Sequence, residues 1–447
     1  MARQGVLIRV PNEQLLEDFP ENVTMAGDFY VASPSTCQDA RVSDHNIWQH
    51  LSKYSLVPHN LAVDLYILAA GSYVADQRIP RRIYGEDSWS RLIDLFVPVS
   101  DPELWTQQAD LVSHILGFLS GDYWRVHFRS RGVLPEFRHS GQTLATPNTD
   151  CVSLFSGGLD SFIGAINLLE DGKNPIFVGQ YSSPDVSASQ TRCFEAINRQ
   201  YSDRGMLFSA RVYLPKVLLY GVQENTMRSR SLLFLALGSL LTSSLERPAT
   251  LVVPENGFIS LNIPLSLHRL GALSTKTTHP HLMQSFQTLL NQLNLPITLT
   301  NPFQFKTKGQ MVAECSNQEF LRETISGTMS CSHPAQARFA RHSPRDHCGT
   351  CVPCLIRKAA IHAASGQDTT TYIRNDLVTL GNDHRQARNA NVKDILAAIE
   401  KYRQQNIVTN QQLLLSGPLP DKENMDRYRQ VYIDGLGELA SVLGVNA

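Results

Sequence analysis

The chain has no excess of either charge. Forty Lys and Arg face 41 Asp and Glu over 447 residues, a formal net charge of −1. That balance excludes a general polyanion-binding surface as the first reading. Long apolar runs are missing as well. The longest, around residues 232–237, falls far short of the roughly 20 residues that cross a bilayer. The first residues, MARQGVLIRVPNEQ, hold no apolar signal core, so a soluble, cytoplasmic protein is expected. Cysteine is sparse: there are eight, and seven lie at or beyond Cys151. So few thiols in a chain this long argue against a disulfide framework. Tryptophan is absent beyond Trp124, and no internal repeat or low-complexity tract occurs.

What is present is enough apolar residue, 42%, to bury a sizeable core. At ~150 residues per domain the length suggests about three domains. A polar stretch over 129–150, with Gly132, Pro135, Gly141 and Pro147, marks the first boundary. We divide the chain into 1–145, 146–365 and 366–447. The first part mixes periodicities. Leu61, Leu65, Leu68 and Ala69 share a helix face, while 92–99 and 124–128 read as strands, which predicts an α+β domain of unknown role. Arg78, Arg81 and Arg82 read as a solvated basic face. From 151 onward, strands alternate with helices. Strands are expected at 152–155, 176–178, 212–214 and 251–253, and helices at 161–169, 188–201 and 231–245. That alternation predicts an α/β domain with a doubly wound parallel sheet, whose ligands bind at the carboxyl ends of its strands. Beyond 366, helical segments at 392–403 and 425–443 carry no catalytic signature.

The first strand end carries Ser156-Gly157-Gly158-Leu159-Asp160-Ser161. Two glycines permit positive φ and close backbone approach, and small hydroxyl residues flank them. Successive amides and a helix N-terminus then converge on one spot, which suits an anion. No Gly-Lys-Ser/Thr follows and no Gly-x-Gly-x-x-Gly is present, so this is neither the mononucleotide nor the dinucleotide loop. The plainer alternative is a strand–turn–helix with a capping Ser or Asp.

Cys348, Cys351 and Cys354 stand at C-x2-C-x2-C spacing, with Cys331 upstream. Four thiolates suit a closed, structural Zn²⁺. His333, His342 and His347 are alternative ligands, and an iron–sulfur cluster is the rival metal group. The x3-Cys-Pro element that completes the bacterial ferredoxin pattern is missing.

The hexapeptide resembles the SGGxDS pyrophosphate loop of the PP-loop ATPases, HUP-like α/β proteins that cleave ATP to AMP and pyrophosphate. Together with the Cys…Cys-Gly-x-Cys-x-x-Cys pattern, it makes residues 150–365 resemble the 7-cyano-7-deazaguanine synthase (QueC) family. The N-terminal extension is similar to that of QueC-like members of anti-phage defence systems. The resemblance implies an ATP-dependent, AMP-forming C–N ligase. It would activate a carboxylated deazapurine, such as 7-carboxy-7-deazaguanine, as an acyl adenylate, then pass it to ammonia or a protein amine. It implies ATP, Mg²⁺ and Zn²⁺, with Ser156, Gly157, Gly158, Leu159, Asp160 and Ser161 on the phosphates and Asp160 positioning the loop or Mg²⁺. Arg230 and Gln180 would serve the nucleotide, Arg228, Lys276 and Glu255 the chemistry, and Cys331, Cys348, Cys351 and Cys354 the zinc. Partners would be the deazapurine acid and proteins of the same defence system, with no membrane and no nucleic acid. The chain differs from the synthases at 255–262, where it reads Glu-Asn-Gly-Phe-Ile-Ser-Leu-Asn. Two other readings stay open: a PP-loop enzyme acting on tRNA, and a non-catalytic nucleotide-sensing module.

Overall fold

The structure, a computed structural model, describes residues 3–11, 23–31, 42–86, 88–134, 144, 148–181, 183–202, 204–213, 222, 224, 226–266, 276–375 and 390–445. The chain is α/β with two five-stranded, mainly parallel sheets among these residues. No helix among them is long and apolar enough to cross a membrane.

The first sheet is built from β1 (Arg3–Arg9), β2 (Val23–Tyr30), β3 (Gly85–Glu86), β4 (Ser90–Val99) and β5 (Tyr123–Ser130). β1 pairs parallel with β2 and β4, and β4 pairs parallel with β5; only the two-residue β3 is antiparallel. This differs from the α+β expectation for residues 1–145. The reason is visible in β4, whose last seven residues are all buried, as in strands covered on both faces. The covering helices of this half are α1 (His45–Lys53), α2 (Asn60–Arg78), α3 (Arg81–Tyr84), α4 (Pro102–Thr106) and α5 (Ala109–Ser120). Of α2's 19 residues, 16 are buried, so it is an internal helix and has no polar face.

Charge is buried here too. Arg91 is 0% exposed and pairs with Asp76 and Asp122, each at 2.6 Å. Arg81 joins through Asp122 at 2.7 Å. The solvated reading of Arg78, Arg81 and Arg82 is therefore corrected: Arg78 and Arg81 are buried, and only Arg82 is exposed. The Asp76 carboxylate of α2 and that of Asp122, 41 residues on, draw Arg81 inward.

The second sheet runs β10-β9-β6-β7-β8, all parallel. Its strands are β6 (Cys151–Leu154), β7 (Pro175–Gln180), β8 (Met206–Ala210), β9 (Ala249–Val252) and β10 (Ile297–Thr300). The third strand lies earlier than the expected 212–214. Met206–Ala210 pairs with β7, whereas Tyr213 only bridges Ser43, and Leu214 lies outside the described residues. The helices that follow are α6 (Leu159–Glu170), α7 (Pro184–Tyr201), α8 (Arg230–Ser243), α9 (Gly257–Leu261), α10 (Pro280–Gln292), α11 (Lys308–Ala313), α12 (Gln318–Thr324), α13 (Gln336–Phe339) and α14 (Val352–Ser365). The last part holds α15 (Ala390–Gln405), α16 (Asn410–Leu413) and α17 (Met425–Leu443).

Three apolar clusters hold these layers. The largest joins the first sheet and α2 to α8, α10 and one face of the second sheet. A second lies under α6, α7, α11 and α12 on the opposite face. The third packs α9 and α14 against α15 and α17.

Candidate functional site

In the second sheet the chain runs outward from β6 to β8, then returns to lay β9 beside β6. Helices on either side of that reversal cover opposite faces, which opens a crevice at the strands' carboxyl ends. Two loops meet there, one after β6 and one after β9.

The loop after β6 is Ser156-Gly157-Gly158. Gly157 sits at φ +77°, and a Cβ on it would lie 2.8 Å from the Gln190 backbone nitrogen. Only glycine satisfies both the backbone and the space. The Gly157 carbonyl accepts from Met329 N at 2.8 Å and from Ser189 Oγ at 2.9 Å. Ser156 Oγ lies 3.1 Å from Ser161 Oγ and accepts from Gly158 N at 3.2 Å. Helix α6 starts at once, so its first-turn amides lack intrahelical acceptors and carry the positive end of the helix dipole. Backbone amides and the hydroxyls of Ser156 and Ser161 meet at this turn, the groups an anion cradle uses.

Asp160, in the first turn, bridges the two loops. Its Oδ2 accepts from the Asn256 side chain at 2.6 Å and from the Asn256 backbone at 3.2 Å. Its Oδ1 lies 2.8 Å from Lys308 Nζ, an ion pair with both side chains under 10% exposed. Glu255 completes the group, a half-buried carboxyl lining the crevice. Burial, reinforced by the neighbouring Asp160 charge, lifts the Glu255 carboxyl well above its ordinary range. Asp160 shifts the other way: burial opposes ionisation, but Lys308 and the hydrogen bonds outweigh it, and its carboxyl lies below the usual range. The two carboxyls are thus pushed apart, Glu255 holding its proton to higher pH than Asp160 does.

Sequence reasoning missed Lys308. Its signal was weak: a capping box, Thr307 with Gln310, just after the last strand. The C-terminal helix fixes it there, because Glu438 accepts from Thr307 Oγ1 and from Gly309 N. Asn256 is spent structurally, since its Oδ1 also caps α9 through Ile259 N at 2.9 Å.

The remaining candidates make their contacts outside this group. Gln180 ends β7, and the Gln190 side chain bridges its carbonyl to that of Phe155, at 3.2 and 3.3 Å. Arg228, Arg230 and Lys276 lie farther out, where α8 and α10 begin against the first half of the chain. Arg228 donates to the Ser120 carbonyl and stacks 5.1 Å over Trp89. Lys276 Nζ stands 4.0 Å over the Phe118 ring.

The four cysteines converge. Cys331, Cys348, Cys351 and Cys354 are buried, with sulfurs all within 4.8 Å of one another. Cys331–Cys351 and Cys348–Cys354 are 3.9 and 3.8 Å apart. A tetrahedral ion with bonds of about 2.3 Å has ligand edges of about 3.8 Å. A four-iron cubane would hold its cysteine sulfurs roughly 6 Å apart. The geometry is therefore compatible with one zinc ion and too tight for the cubane. Backbone amides of His333, Cys348 and Cys351 lie 3.3–3.4 Å from the sulfurs as donors, which suits thiolates. The histidine alternatives are not needed: His347 Nε2 accepts from Ser330 N at 3.1 Å, and His342 faces Asp346. Gly349 makes the turn at φ +85°, with no room for a Cβ against the Arg374 carbonyl.

This cluster is mechanically tied to the loop. Ser330 Oγ lies 3.5 Å from Leu159 N as acceptor, one residue before Cys331. Arg357 of α14 is 0% exposed and donates to Thr328 Oγ1 at 2.6 Å and to the Ile325 carbonyl at 2.7 Å. The segment 328–331 is thereby clamped between the thiols and the phosphate-loop candidate.

Compared with models of known protein families the chain matches none, and it matches no curated protein.

Proposed function

We propose that the chain is an AMP-forming, ATP-dependent ligase of the PP-loop kind, which charges an aromatic carboxylic acid as its acyl adenylate and passes the acyl group to an amine. The acid suggested by the motifs is a carboxylated deazapurine such as 7-carboxy-7-deazaguanine. The amine is ammonia or an amine of a partner protein, within an anti-phage system.

One observation carries the reading: the 156–161 turn stands at the sheet's reversal point with a buried Asp160–Lys308 pair and the Glu255 carboxyl beside it. The acid is a poor electrophile, because its carboxylate has no leaving group. Its oxygen attacks the α-phosphorus of ATP and pyrophosphate departs; the amine then attacks the carbonyl, and AMP leaves with one former carboxylate oxygen. The chain's task is to neutralise phosphate charge and hold the reactants in line. Loop amides and the α6 dipole receive the departing pyrophosphate, while the Lys308 charge stands within reach of the same turn. Asp160 is the carboxylate that would hold Mg²⁺, which would supply further charge neutralisation. The four thiolates would hold Zn²⁺ with no open position, so it would brace the 328–331 segment and do no chemistry.

Exchange of labelled pyrophosphate into ATP tests the reading. Exchange that depends on a deazapurine acid and is lost in Asp160→Ala is expected. ATP cleaved to ADP and orthophosphate, or no exchange with any such acid, would refute it.

A further inference from the structure

The balanced charge of the whole chain hides a local excess. Residues 332–346, between the first and second thiols of the cluster, hold three arginines and a single carboxylate. That carboxylate, Asp346, is 8% exposed and faces His342 at 3.3 Å. The segment is firmly anchored. Cys331 and Cys348 hold its ends, Ala337 is fully buried, and Arg338 Nε donates to Asp185 at 3.1 Å. Yet Phe339, between Ala337 and Arg341, is 88% exposed. One exposed apolar side chain is ordinary by itself. This one stands among cations that lack partners.

Asp185, Arg192 and Arg199 recur every seven residues along one face of α7. At one end of that face the match is attractive, Arg338 on Asp185. At the other it is repulsive, because Arg192, Arg199 and Arg345 line one cavity of about 340 Å³. Glu195 and Glu323 line it too, so three cations meet two carboxylates. Among the described residues, Arg192, Arg199, Arg341 and Arg345 form no ion pair. Arg192 Nε is buried without an acceptor, and burial and the Arg345 charge both lower the Arg192 guanidinium from its ordinary value. A buried donor left bare beside a like charge is costly unless an anion completes it. A second cavity, of about 640 Å³, borders Phe339 itself. Gln336, Asn391 and Arg374 line it, with no carboxylate among its described lining residues.

An isolated anion would fill one of these cavities and leave the other. An acidic peptide would meet the charge and leave the ring in water. A chain of phosphates with unstacked bases uses both, because every base offers a face to an aromatic ring. We propose that residues 332–346, with Arg192 and Arg199 of α7 and with Arg374, form a binding surface for single-stranded nucleic acid, a base stacking on Phe339 and backbone phosphates lying at the arginines. Because α7 starts just after β7 ends, the Asp185 end of this surface lies on the side of the sheet where the crevice opens. The inference goes beyond the ligase reading and stands or falls without it.

Fluorescence anisotropy of a labelled oligouridylate of about 12 nucleotides, titrated with the full chain, tests it. Wild type should bind, and binding should weaken steeply between about 50 and 200 mM salt. Phe339→Ala should lose about fivefold or more in affinity with an unchanged melting midpoint. Arg341→Gln and Arg345→Gln should each reduce the slope of log affinity against log salt by about 0.7. Arg403→Gln, which removes the same charge from α15, should bind as wild type does. Wild type without salt-sensitive binding, or binding that the Phe339, Arg341 and Arg345 variants all leave unchanged, overturns the surface. Polyglutamate bound in place of the oligonucleotide would assign an acidic protein segment to it and overturn the proposal equally.

Discussion

Replacing Gly157 by Ala probes the loop most sharply. An L-residue in the left-handed region costs about 1–2 kcal/mol. The added Cβ would also stand 2.8 Å from Gln190 N and 3.1 Å from Gln190 Cα, both backbone atoms of α7. That helix cannot yield freely, because the Gln190 side chain holds the carbonyls of Phe155 and Gln180 together. Shifting it loosens two hydrogen bonds worth about 1 kcal/mol each. The total is about 2–4 kcal/mol. For a cooperative unit of roughly 150–250 residues that lowers the melting midpoint by about 4–16 °C. The same shift splays the amides of the turn, so ATP affinity falls as well. Calorimetry for the midpoint and titration for the nucleotide read both effects. A variant with unchanged midpoint and unchanged affinity would refute the claim that this backbone turn is the anion cradle.

Two further outcomes follow from the same geometry. Elemental analysis of the purified chain should find about one zinc per molecule, lost in Cys351→Ser together with the order of 328–331; iron with labile sulfide would contradict the tetrahedral reading. Glu255, whose folded carboxyl lies above its unfolded value, contributes stability that is whole below about pH 4.3 and is lost as pH rises through the folded value. Asp160 runs oppositely, its contribution present above the unfolded value and lost as pH falls. Melting curves of wild type and Glu255→Gln should therefore diverge as pH rises, in favour of the variant, and parallel curves would rule out the raised carboxyl.

The sequence discloses what is local and conceals what is assembled. Strands β6, β7 and β9 and helices α2, α6, α8 and α17 are legible because apolar period and chain order define them. The 156–161 turn is legible because its glycines are demanded by one backbone conformation. The cysteine site is legible because three of its four sulfurs come from seven consecutive residues. Lys308 is invisible by the same logic: it meets Asp160 across 148 residues, and Glu438, far beyond, helps hold its segment in place. Arg81 read as solvated because its partners, Asp76 and Asp122, meet it only after α2, α3 and β5 have docked. The parallel pairing in the first sheet is likewise a long-range fact, β1 lying beside β4 with α1 to α3 between them in sequence. Val212 and Tyr213 have strand-like side chains, yet they sit just past the last residue that β7 can pair.

The most direct measurement follows oxygen. The acid substrate is labelled with ¹⁸O in its carboxylate, incubated with ATP and an amine donor, and the nucleotide product is weighed. Attack of that carboxylate on the α-phosphorus predicts AMP carrying one ¹⁸O. Label found in orthophosphate, or AMP without label, would contradict the adenylate.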